Sequence, residues 1–265
     1  MTHTLAIHGA AGRMGQRLIA LASRDTDFQI VAALDNFSHP AHGQDAGVLA
    51  GVKALGVQLS AAWPDAVDVA IDFSIPAACT AAVRHCQEHC IPLVVATTGL
   101  STAQVAEIEE ASQVIPICWA PSMSLAVNLT MKLAQQAAQA LQNVANGVDV
   151  EIIERHHRFK EDAPSGTALK FGEIIANEMG LTEHVHGREG QCGQRTRSEI
   201  GYHAVRTGDN PGEHTIVFGM LGEVLELRVA ASNRDCYASG ALAAAKFLLG
   251  KPAGLYSMFD VLGLP

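Results

Sequence analysis

The stretch TLAIHGAAGRMGQRLIALASRD, from Thr4 to Asp25, decides the predicted fold. It begins with an apolar run typical of a buried strand and ends with the apolar spacing of an amphipathic helix. Gly9, Gly12 and Gly15 lie between them, where they allow a tight turn and let backbone N–H groups approach a pyrophosphate. Ala10 stands where the first glycine of G-x-G-x-x-G is expected, so the spacing is G-x-x-G-x-x-G. The turn is predicted to bind a dinucleotide, and the alternative is a strand-to-helix turn without a ligand.

Outward from this turn, short apolar runs alternate with helical patterns. Strands are predicted at QIVAALD, DVAIDFS, PLVVATTG and VIPICWAP, with helices at PAACTAAVRHCQEHC and STAQVAEIEEASQ. This alternation implies right-handed crossovers and a Rossmann-like, doubly wound parallel sheet, which is an α/β fold. After a long helix over 128–143 the pattern changes to strands joined by turns. One helix is predicted over 168–179, then a loop over 183–197, and a closing helix is followed by a tail from Gly254.

Asp35 closes the second predicted strand, about twenty residues beyond the glycine turn. A carboxylate at this place accepts hydrogen bonds from the adenosine ribose hydroxyls and repels a 2′-phosphate. The next residue, Asn36, has no positive charge, so NADH is the favoured cofactor. Arg13, at the mouth of the turn, is able to serve a 2′-phosphate, which leaves NADPH open. A solvated strand end is the alternative role for Asp35.

The composition of the 265-residue chain is that of a globular protein, with 48% hydrophobic and 17% charged residues. The formal net charge of −9 disfavours a nucleic-acid partner. The first residues show no secretion signal, and no apolar run reaches the length of a membrane span. The six cysteines are spread as in cytosolic proteins. A cytoplasmic protein without a membrane or nucleic-acid partner is predicted.

ERHHRFKEDAPSGTA, residues 154–168, concentrates titratable groups at the end of another predicted strand. Neighbouring strand residues point to opposite sides, so at most one of His156 and His157 is expected to face a reacting centre. Lys160 offers a positive charge, and Ser165–Thr167 precede a predicted helix, where N–H groups and hydroxyls form a carboxylate cradle. The stretch predicts a site for a small anionic substrate with a proton-transferring histidine. The alternative is a solvated loop with a Ser/Thr helix cap.

The pattern E-x-H-H-x-x-K-x-D-A-P-S-G-T-A, carried by this stretch, resembles the signature of the 4-hydroxy-tetrahydrodipicolinate reductase (dihydrodipicolinate reductase) family. GAAGRMG, DFS at 72–74 and TTG at 97–99 are similar to the family's cofactor contacts. EIGYHAVRTGDNPGEHT, GALAAAKFLLGK and GLYSMFDVLGL are similar to its C-terminal half. The resemblance covers nearly the whole chain. It implies NAD(P)H-dependent reduction of the cyclic imine derived from 4-hydroxy-tetrahydrodipicolinate to tetrahydrodipicolinate, in diaminopimelate and lysine biosynthesis.

The resemblance also implies roles for individual residues. His156 takes the place of the family's proposed general acid, and Lys160 takes the place of its catalytic lysine. The dicarboxylate substrate is expected to be bound by His157, Ser165, Gly166 and Thr167. The expected cofactor-binding residues are Gly9, Gly12, Arg13, Met14, Gly15, Asp35, Phe73, Ser74, Thr97, Thr98, Gly99, Ser122 and Met123.

The family fold implies two domains. Residues 1–126 and 236–265 are expected to form the dinucleotide-binding domain. Residues 127–235 are expected to form an inserted α+β substrate domain, with an open mixed sheet that assembles into a homotetramer. The chain departs from the common pattern at His8, Ala96, Phe159, SMSLAVN (122–128) and RVAAS (228–232). The departures at Ala96 and Ser122 bear on the placement of the nicotinamide.

Two other functions stay open at this point. One is an NAD(P)H-sensing relative without turnover, and the other is a dehydrogenase of another amino or imino acid. No metal is predicted, because two groups of cysteines and histidines both lack recognised ligand spacing. The first group, on a predicted helix, is better explained by buried thiols against the sheet. The two groups are Cys79, Cys86 and Cys90 with His85 and His89, and His184, His186 and Cys192.

Overall fold

The computed structural model describes residues 1–264, which form two compact units. The first unit consists of Met1–Leu125 and the chain from Arg234 onward, and the second is Ala126–Asn233. The chain therefore passes between units one residue before the first expected boundary and two residues before the second. Which unit binds which ligand stays a prediction.

The strands and helices follow one another along the chain in the alternation expected for the first half. The strands are β1 (His3–His8), β2 (Phe28–Leu34), β3 (Leu59–Ser60), β4 (Val69–Asp72), β5 (Leu93–Val95), β6 (Pro116–Trp119), β7 (Asp149–His156), β8 (Glu183–His186), β9 (Glu199–Arg206), β10 (Glu213–Met220), β11 (Glu223–Ala230) and β12 (Gly254–Tyr256). The helices are α1 (Arg13–Ala22), α2 (Ala46–Leu49), α3 (Pro76–Glu88), α4 (Thr102–Ala111), α5 (Leu125–Leu141), α6 (Gly166–Met179), α7 (Asp235–Leu248) and α8 (Met258–Val261).

The first unit is built on a parallel seven-stranded sheet in the order β12-β6-β5-β4-β1-β2-β3. Helices α1 and α7 pack on one face, and α3 and α4 pack on the other. Because both faces are covered, β1 needs apolar residues on both, and Leu5, Ala6 and Ile7 are fully buried. The predicted Rossmann-like fold class is confirmed. The chain order changes direction at β1, which places a crevice at the carboxyl ends of β1, β2 and β4.

The second unit has a mixed five-stranded sheet in the order β11-β10-β7-β9-β8. Strand β10 pairs antiparallel with β7 and β11, whereas β9 pairs parallel with β7 and β8. Along β7 buried and exposed residues alternate, as expected for a sheet with one face in the core. Helix α6 packs on the buried face, where Phe171 lies against His214. This mixed sheet confirms the second part of the predicted fold class.

Several local predictions are wrong. The predicted loop over 183–197 contains strand β8, which forms because it adds to the edge of the sheet beside β9. The predicted tail from Gly254 contains β12 and α8, and β12 pairs with β6. Strand β3 and helix α2 were missing from the prediction. Helix α6 begins at Gly166, two residues before the predicted start, because the Ser165 hydroxyl accepts the Ala168 N–H and caps the helix there.

None of the helices in the described part of the chain combines the length and the apolar character that crossing a membrane requires.

Candidate active site

A cleft of about 410 Å³ opens in the first unit at the carboxyl ends of β1, β2 and β4. It is lined by the glycine turn, by the residues that follow β2 and by the segment between β4 and α3. Its walls include the predicted cofactor residues Gly9, Gly12, Asp35, Phe73 and Ser74. This is the crevice at which open α/β sheets meet their ligands.

Glycine is needed at the three positions of the turn for different physical reasons. Gly9 has a φ of +78°, and a side chain there would come within 2.5 Å of the carbonyl oxygen of Phe73. A side chain at Gly15 would come within 2.2 Å of the carbonyl oxygen of Gly9. Gly12 is the N-cap of α1 and has no side chain to cap it. Two glycines are therefore required by the packing of the turn, and the third leaves the first N–H groups of α1 available to a phosphate.

The carboxylate of Asp35 is held against the turn. One oxygen accepts the Ala11 N–H at 2.9 Å, and the other accepts the Asn36 N–H at 2.8 Å. Each carboxylate oxygen can accept two hydrogen bonds and here accepts one from the backbone. One acceptor site per oxygen therefore remains for a ribose hydroxyl. Arg13 is exposed at the mouth of the turn, and Met14 packs against the core. The residues present thus fit a dinucleotide: an uncapped helix start for phosphate and an anchored acid for ribose.

A buried carboxylate, Asp72, connects the loops that follow β4 and β5. Its side chain accepts hydrogen bonds from the hydroxyls of Ser74 and Thr97, both at 2.6 Å, and contacts His8 Nδ1 at 2.6 Å. Burial would raise the pKa of Asp72, but the hydrogen bonds from His8, Ser74 and Thr97 lower it overall. The hydroxyls of Ser74 and Thr97 therefore use their hydrogens in hydrogen bonds to Asp72, and a ligand would meet them only as acceptors.

The remaining predicted cofactor residues lie in the loops after β5 and β6. Thr98 and Gly99 are exposed, and Gly99 has a φ of +75°. Ser122 and Met123 are buried. Met123 lies against α7, where a side chain at Gly240 would come within 1.7 Å of the Met123 carbonyl oxygen.

In the second unit, the alternation of β7 places Glu154 and His156 on the buried face. His157 follows the last residue of the strand, so its opposite direction stays a prediction. His156 Nδ1 contacts a Glu154 carboxylate oxygen at 2.5 Å. His156 Nε2 faces Gly212, which has a φ of +149°, and a side chain at that position would come within 2.9 Å of Nε2. His157 Nδ1 is buried and has no hydrogen-bond partner among the described residues.

Lys160 and the start of α6 complete the predicted substrate site. Lys160 Nζ lies 2.7 Å from Asp162 Oδ1, the oxygen of an exposed carboxylate. Gly166 and Thr167 are the first residues of α6, so their N–H groups precede its first intrahelical hydrogen bonds. Ser165 differs from them because it is buried, and its N–H donates to Glu154 at 3.0 Å. The cradle therefore has the N–H groups of two residues rather than three.

Two family models match the chain: dihydrodipicolinate reductase, N-terminus, over residues 3–123, and dihydrodipicolinate reductase, C-terminus, over residues 126–262. The chain belongs to the dihydrodipicolinate reductase family. A relative named 4-hydroxy-tetrahydrodipicolinate reductase, from Rhodopirellula baltica, is 62% identical over 269 residues, covering 98% of this chain and 96% of the relative. Another of the same name, from Alkalilimnicola ehrlichii, is 45% identical with both chains fully covered. The resemblance of the 154–168 stretch to this family is confirmed.

Solved structures agree with the family assignment. A dipicolinate-bound dihydrodipicolinate reductase from Paenisporosarcina sp. TG-14 superposes with a TM-score of 0.79 at 25% identity, covering 98% of this chain and 99% of that one. An amine dehydrogenase from Mycobacterium smegmatis superposes with a TM-score of 0.62 at 14% identity, with 97% and 95% of the two chains covered. The second likeness shows a shared fold alone.

Burial lowers the pKa values of two histidines of the second unit, His156 and His214. Burial lowers the pKa of His156, and the hydrogen bond to Glu154 offsets this only in part. Burial lowers the pKa of His214, on β10, to about 4. The Nε2 of His214 lies 3.1 Å from the Ser165 hydroxyl. For Glu154, burial would raise the pKa, but hydrogen bonds from Arg206 and His156 lower it overall.

His214 should make the stability of the protein depend on pH. Its pKa is about 4 in the folded protein and 6.5 in an unfolded chain, so the unfolded state binds more protons between these values. The contribution is present in full above pH 6.5 and is lost as the pH falls toward 4, about 3 kcal/mol in all. Denaturant unfolding of His214→Gln at several pH values should show a smaller loss over this window. The matched variant of an exposed histidine, His186→Gln, should keep the wild-type dependence, and an equal dependence in His214→Gln would contradict the assignment.

Four residues of the candidate site have no role in the predictions from the sequence. Glu154 could have been found, because it lies two positions before His156 and strand alternation puts both on one face. His8 was noted only as a departure from the family pattern. Arg206 and His214 stand on other strands, and no local pattern marks them as partners of the 154–168 stretch.

Three residues of the first cysteine and histidine group pack against other side chains of the first unit. Burial raises the pKa values of Cys79 and Cys86, which pack between α3 and the sheet. His85 stacks between Trp63 and His89, at ring-centroid distances of 4.4 and 4.1 Å. Within residues 1–264, no three His, Cys, Asp or Glu side chains are grouped so that they could hold a metal ion.

Proposed function

We propose that this chain is a 4-hydroxy-tetrahydrodipicolinate reductase that uses a reduced nicotinamide nucleotide in diaminopimelate and lysine biosynthesis. The observation that carries the proposal is the 154–168 motif, which folds into a buried histidine–glutamate pair beside a lysine and an open helix start. The 62% identical relative of the same name agrees with it.

The proposed chemistry assigns separate tasks to the two units. The nucleotide supplies a hydride, and the first N–H groups of α1, Asp35 and the loops after β4 and β5 would hold it. Lys160 and the N–H groups of Gly166 and Thr167 would bind the carboxylates of the dianionic substrate, with His157 beside them. His156 would deliver the proton that completes the reduction.

Turnover separates this function from the two alternatives. The decisive assay follows loss of the reduced nicotinamide absorbance on addition of freshly generated 4-hydroxy-tetrahydrodipicolinate. Steady oxidation supports the reductase. Tight nucleotide binding without oxidation would favour a sensor, and oxidation only with another imino acid would favour a different dehydrogenase.

We propose NADH as the favoured nucleotide, because Asp35 stands where the ribose hydroxyls would lie. Both of its oxygens are fixed by backbone N–H groups, so the carboxylate cannot easily turn away from a 2′-phosphate. Asn36 accepts hydrogen bonds from Ser38 and has no charge to offer in compensation. Arg13 is an exposed positive charge at the mouth of the glycine turn, and it keeps NADPH as the second candidate.

Asp35→Ala should weaken NADH binding more than NADPH binding. Loss of hydrogen bonds to a charged group costs about 1.5–3 kcal/mol, so the Kd for NADH should rise about 10- to 100-fold. The Kd for NADPH should change little or fall, since the variant removes a repulsion. Titration of the reduced nucleotide fluorescence measures both constants without turnover. Equal losses for the two nucleotides would count against the ribose contact.

We also propose a cytoplasmic homotetramer, from family membership and one feature of the second unit. Ile153 and Val224 point away from the sheet face that α6 covers, and they are 41% and 60% exposed. Apolar side chains on an open sheet face fit burial against another copy. Light scattering coupled to gel filtration would measure the assembly, and a monomer at micromolar concentration would contradict it.

A further inference from the structure

The carboxylate of Glu154 is fully buried and makes four short polar contacts. One oxygen lies 2.5 Å from His156 Nδ1 and accepts from Arg206 Nη1 at 2.8 Å. The other oxygen accepts from Arg206 Nη2 at 2.8 Å and from the Ser165 N–H at 3.0 Å. A carboxylate has about four acceptor sites, and three of them are taken by groups that can only donate. Despite the burial, Arg206 and His156 also lower the pKa of Glu154, so the carboxylate is ionised and its fourth site is an acceptor as well.

This arrangement determines which ring nitrogen of His156 carries hydrogen when the ring is neutral. Arginine and a backbone N–H are donors only, and they take three of the four sites on Glu154. The fourth is filled by His156 Nδ1, which must therefore carry hydrogen to make the contact. In neutral His156 the lone pair is then on Nε2, and in the cation Nε2 carries the proton that can leave.

We propose that Glu154 is a positioning residue that holds His156 in the Nδ1–H form, so that Nε2 is the nitrogen that gives up the catalytic proton. The inference rests on the proposed function for the identity of the reaction. In the step itself the Nε2–H bond breaks and its electron pair stays on Nε2. The proton passes to the substrate anion left by hydride addition, and the ring charge changes from +1 to 0. The Nδ1–H bond is kept throughout.

Two further contacts support this role. Nε2 faces Gly212, where the missing side chain leaves the nitrogen uncovered, since a Cβ there would lie 2.9 Å away. Glu154 also binds the N–H of Ser165, the N-cap of α6, so one carboxylate sets the spacing between the histidine and the predicted cradle. Arg206 extends the same network to the carbonyl oxygen of Asp162, beside Lys160.

The surroundings of His156 define what a pH measurement would report. The titratable or charged groups that act on it are Glu154 on its own strand, Arg206 on β9, His214 on β10 and Lys160 in the loop after β7. Only Glu154 is an anion, so its removal should lower the pKa of His156. The His214 ring lies edge-on at 5.2 Å between centroids and limits rotation of His156.

The test compares Glu154→Gln with Glu151→Gln. Glu151 is the matched control, because it lies on the same strand and also binds an arginine, Arg188, and a histidine, His203, away from the predicted site. Nitrogen NMR of the free protein, with ¹⁵N-labelled histidine, reports which ring nitrogen of His156 carries hydrogen and at what pH it titrates. This readout needs no substrate.

We expect wild-type His156 to show a protonated Nδ1 and a bare Nε2 in its neutral form. In Glu154→Gln the pKa of His156 should fall, and the alkaline decline of kcat should move to lower pH. At neutral pH kcat should drop about 10²-fold with little change in KM. Glu151→Gln should leave the tautomer, the pH profile and kcat as in wild type.

Three results would overturn the proposal. One is an Nε2–H tautomer in neutral wild-type His156, which can be seen even if Glu154→Gln does not fold. Another is an unshifted His156 pKa and pH profile in Glu154→Gln, which would leave Glu154 a purely structural partner of Arg206. The third is failure of Glu154→Asp, which keeps the charge, to preserve the tautomer. A wild-type protein without turnover would defeat the proposed function and leave the tautomer assignment to stand or fall by NMR.

Discussion

His156→Gln is expected to lower kcat by about 10²–10⁴-fold, the usual contribution of a positioned general acid. The histidine is buried, its Nδ1 is bound to Glu154 and its Nε2 is left open beside Gly212. Glutamine has a similar reach but cannot release a proton near neutral pH. KM should change little, because proton transfer is made in the transition state rather than in substrate binding. Steady-state kinetics with saturating nucleotide measures both constants.

The neighbouring His157→Gln variant is the matched control. His157 follows the last residue of β7, and its buried Nδ1 has no hydrogen-bond partner among residues 1–264, as expected of a group that binds a ligand. Its replacement should raise KM for the substrate more than it lowers kcat. A wild-type kcat in His156→Gln, or a larger loss of kcat in His157→Gln, would show that the acid has been assigned to the wrong histidine.

Lys160→Ala is expected to lower kcat/KM by a factor on the order of 10²–10³, with both constants affected. Truncating one partner of a close charge pair costs about 2–5 kcal/mol. The lysine is close enough to His156 to act on it electrostatically, and His156 is itself proposed to act on the substrate. Lys160 should bind a carboxylate in the ground state and stabilise the negative charge that develops when hydride arrives. Substrate titrations at several nucleotide concentrations separate the two effects.

Lys170→Ala controls for a general loss of positive charge. Lys170 lies on α6, one turn beyond the cradle, and pairs with Glu173 on the surface. Its removal should leave both kinetic constants unchanged. Lys160→Ala kinetics equal to those of Lys170→Ala would place the substrate carboxylates elsewhere and would remove the main support for the proposed substrate site.

The candidate cofactor site and the candidate substrate site each contain a buried carboxylate with the same kind of surroundings. Asp72 in the first unit and Glu154 in the second are both fully buried carboxylates at the end of a strand. Each gathers a histidine and donors from segments that are distant in the chain. A buried charge is tolerated only when it is fully hydrogen-bonded, and once bonded it fixes its partners in place. Residues with no contact to a ligand thus determine how the predicted binding residues are presented.

The sequence could predict features that depend on local periodicity. Continuous apolar runs identified the parallel strands of the first unit, because a sheet covered on both faces needs apolar residues at every position. Glycines at fixed spacing after β1 identified the turn, since Gly9 and Gly15 have no space for a side chain. Strand β8 and strand β12 were missed, because short edge strands form by pairing with a neighbour and leave little pattern of their own.

By itself, the sequence determined the strand–turn–helix at the start of the chain and the family. Only the tertiary structure decided which groups surround His156. Arg206 lies 52 residues from Glu154, and His214 lies 49 residues from Ser165, yet strand pairing brings all four together. Strand alternation fixes the side of the sheet on which a residue lies. Its partners depend on the order and register of the strands, which are set by burial of the whole sheet rather than by any one stretch.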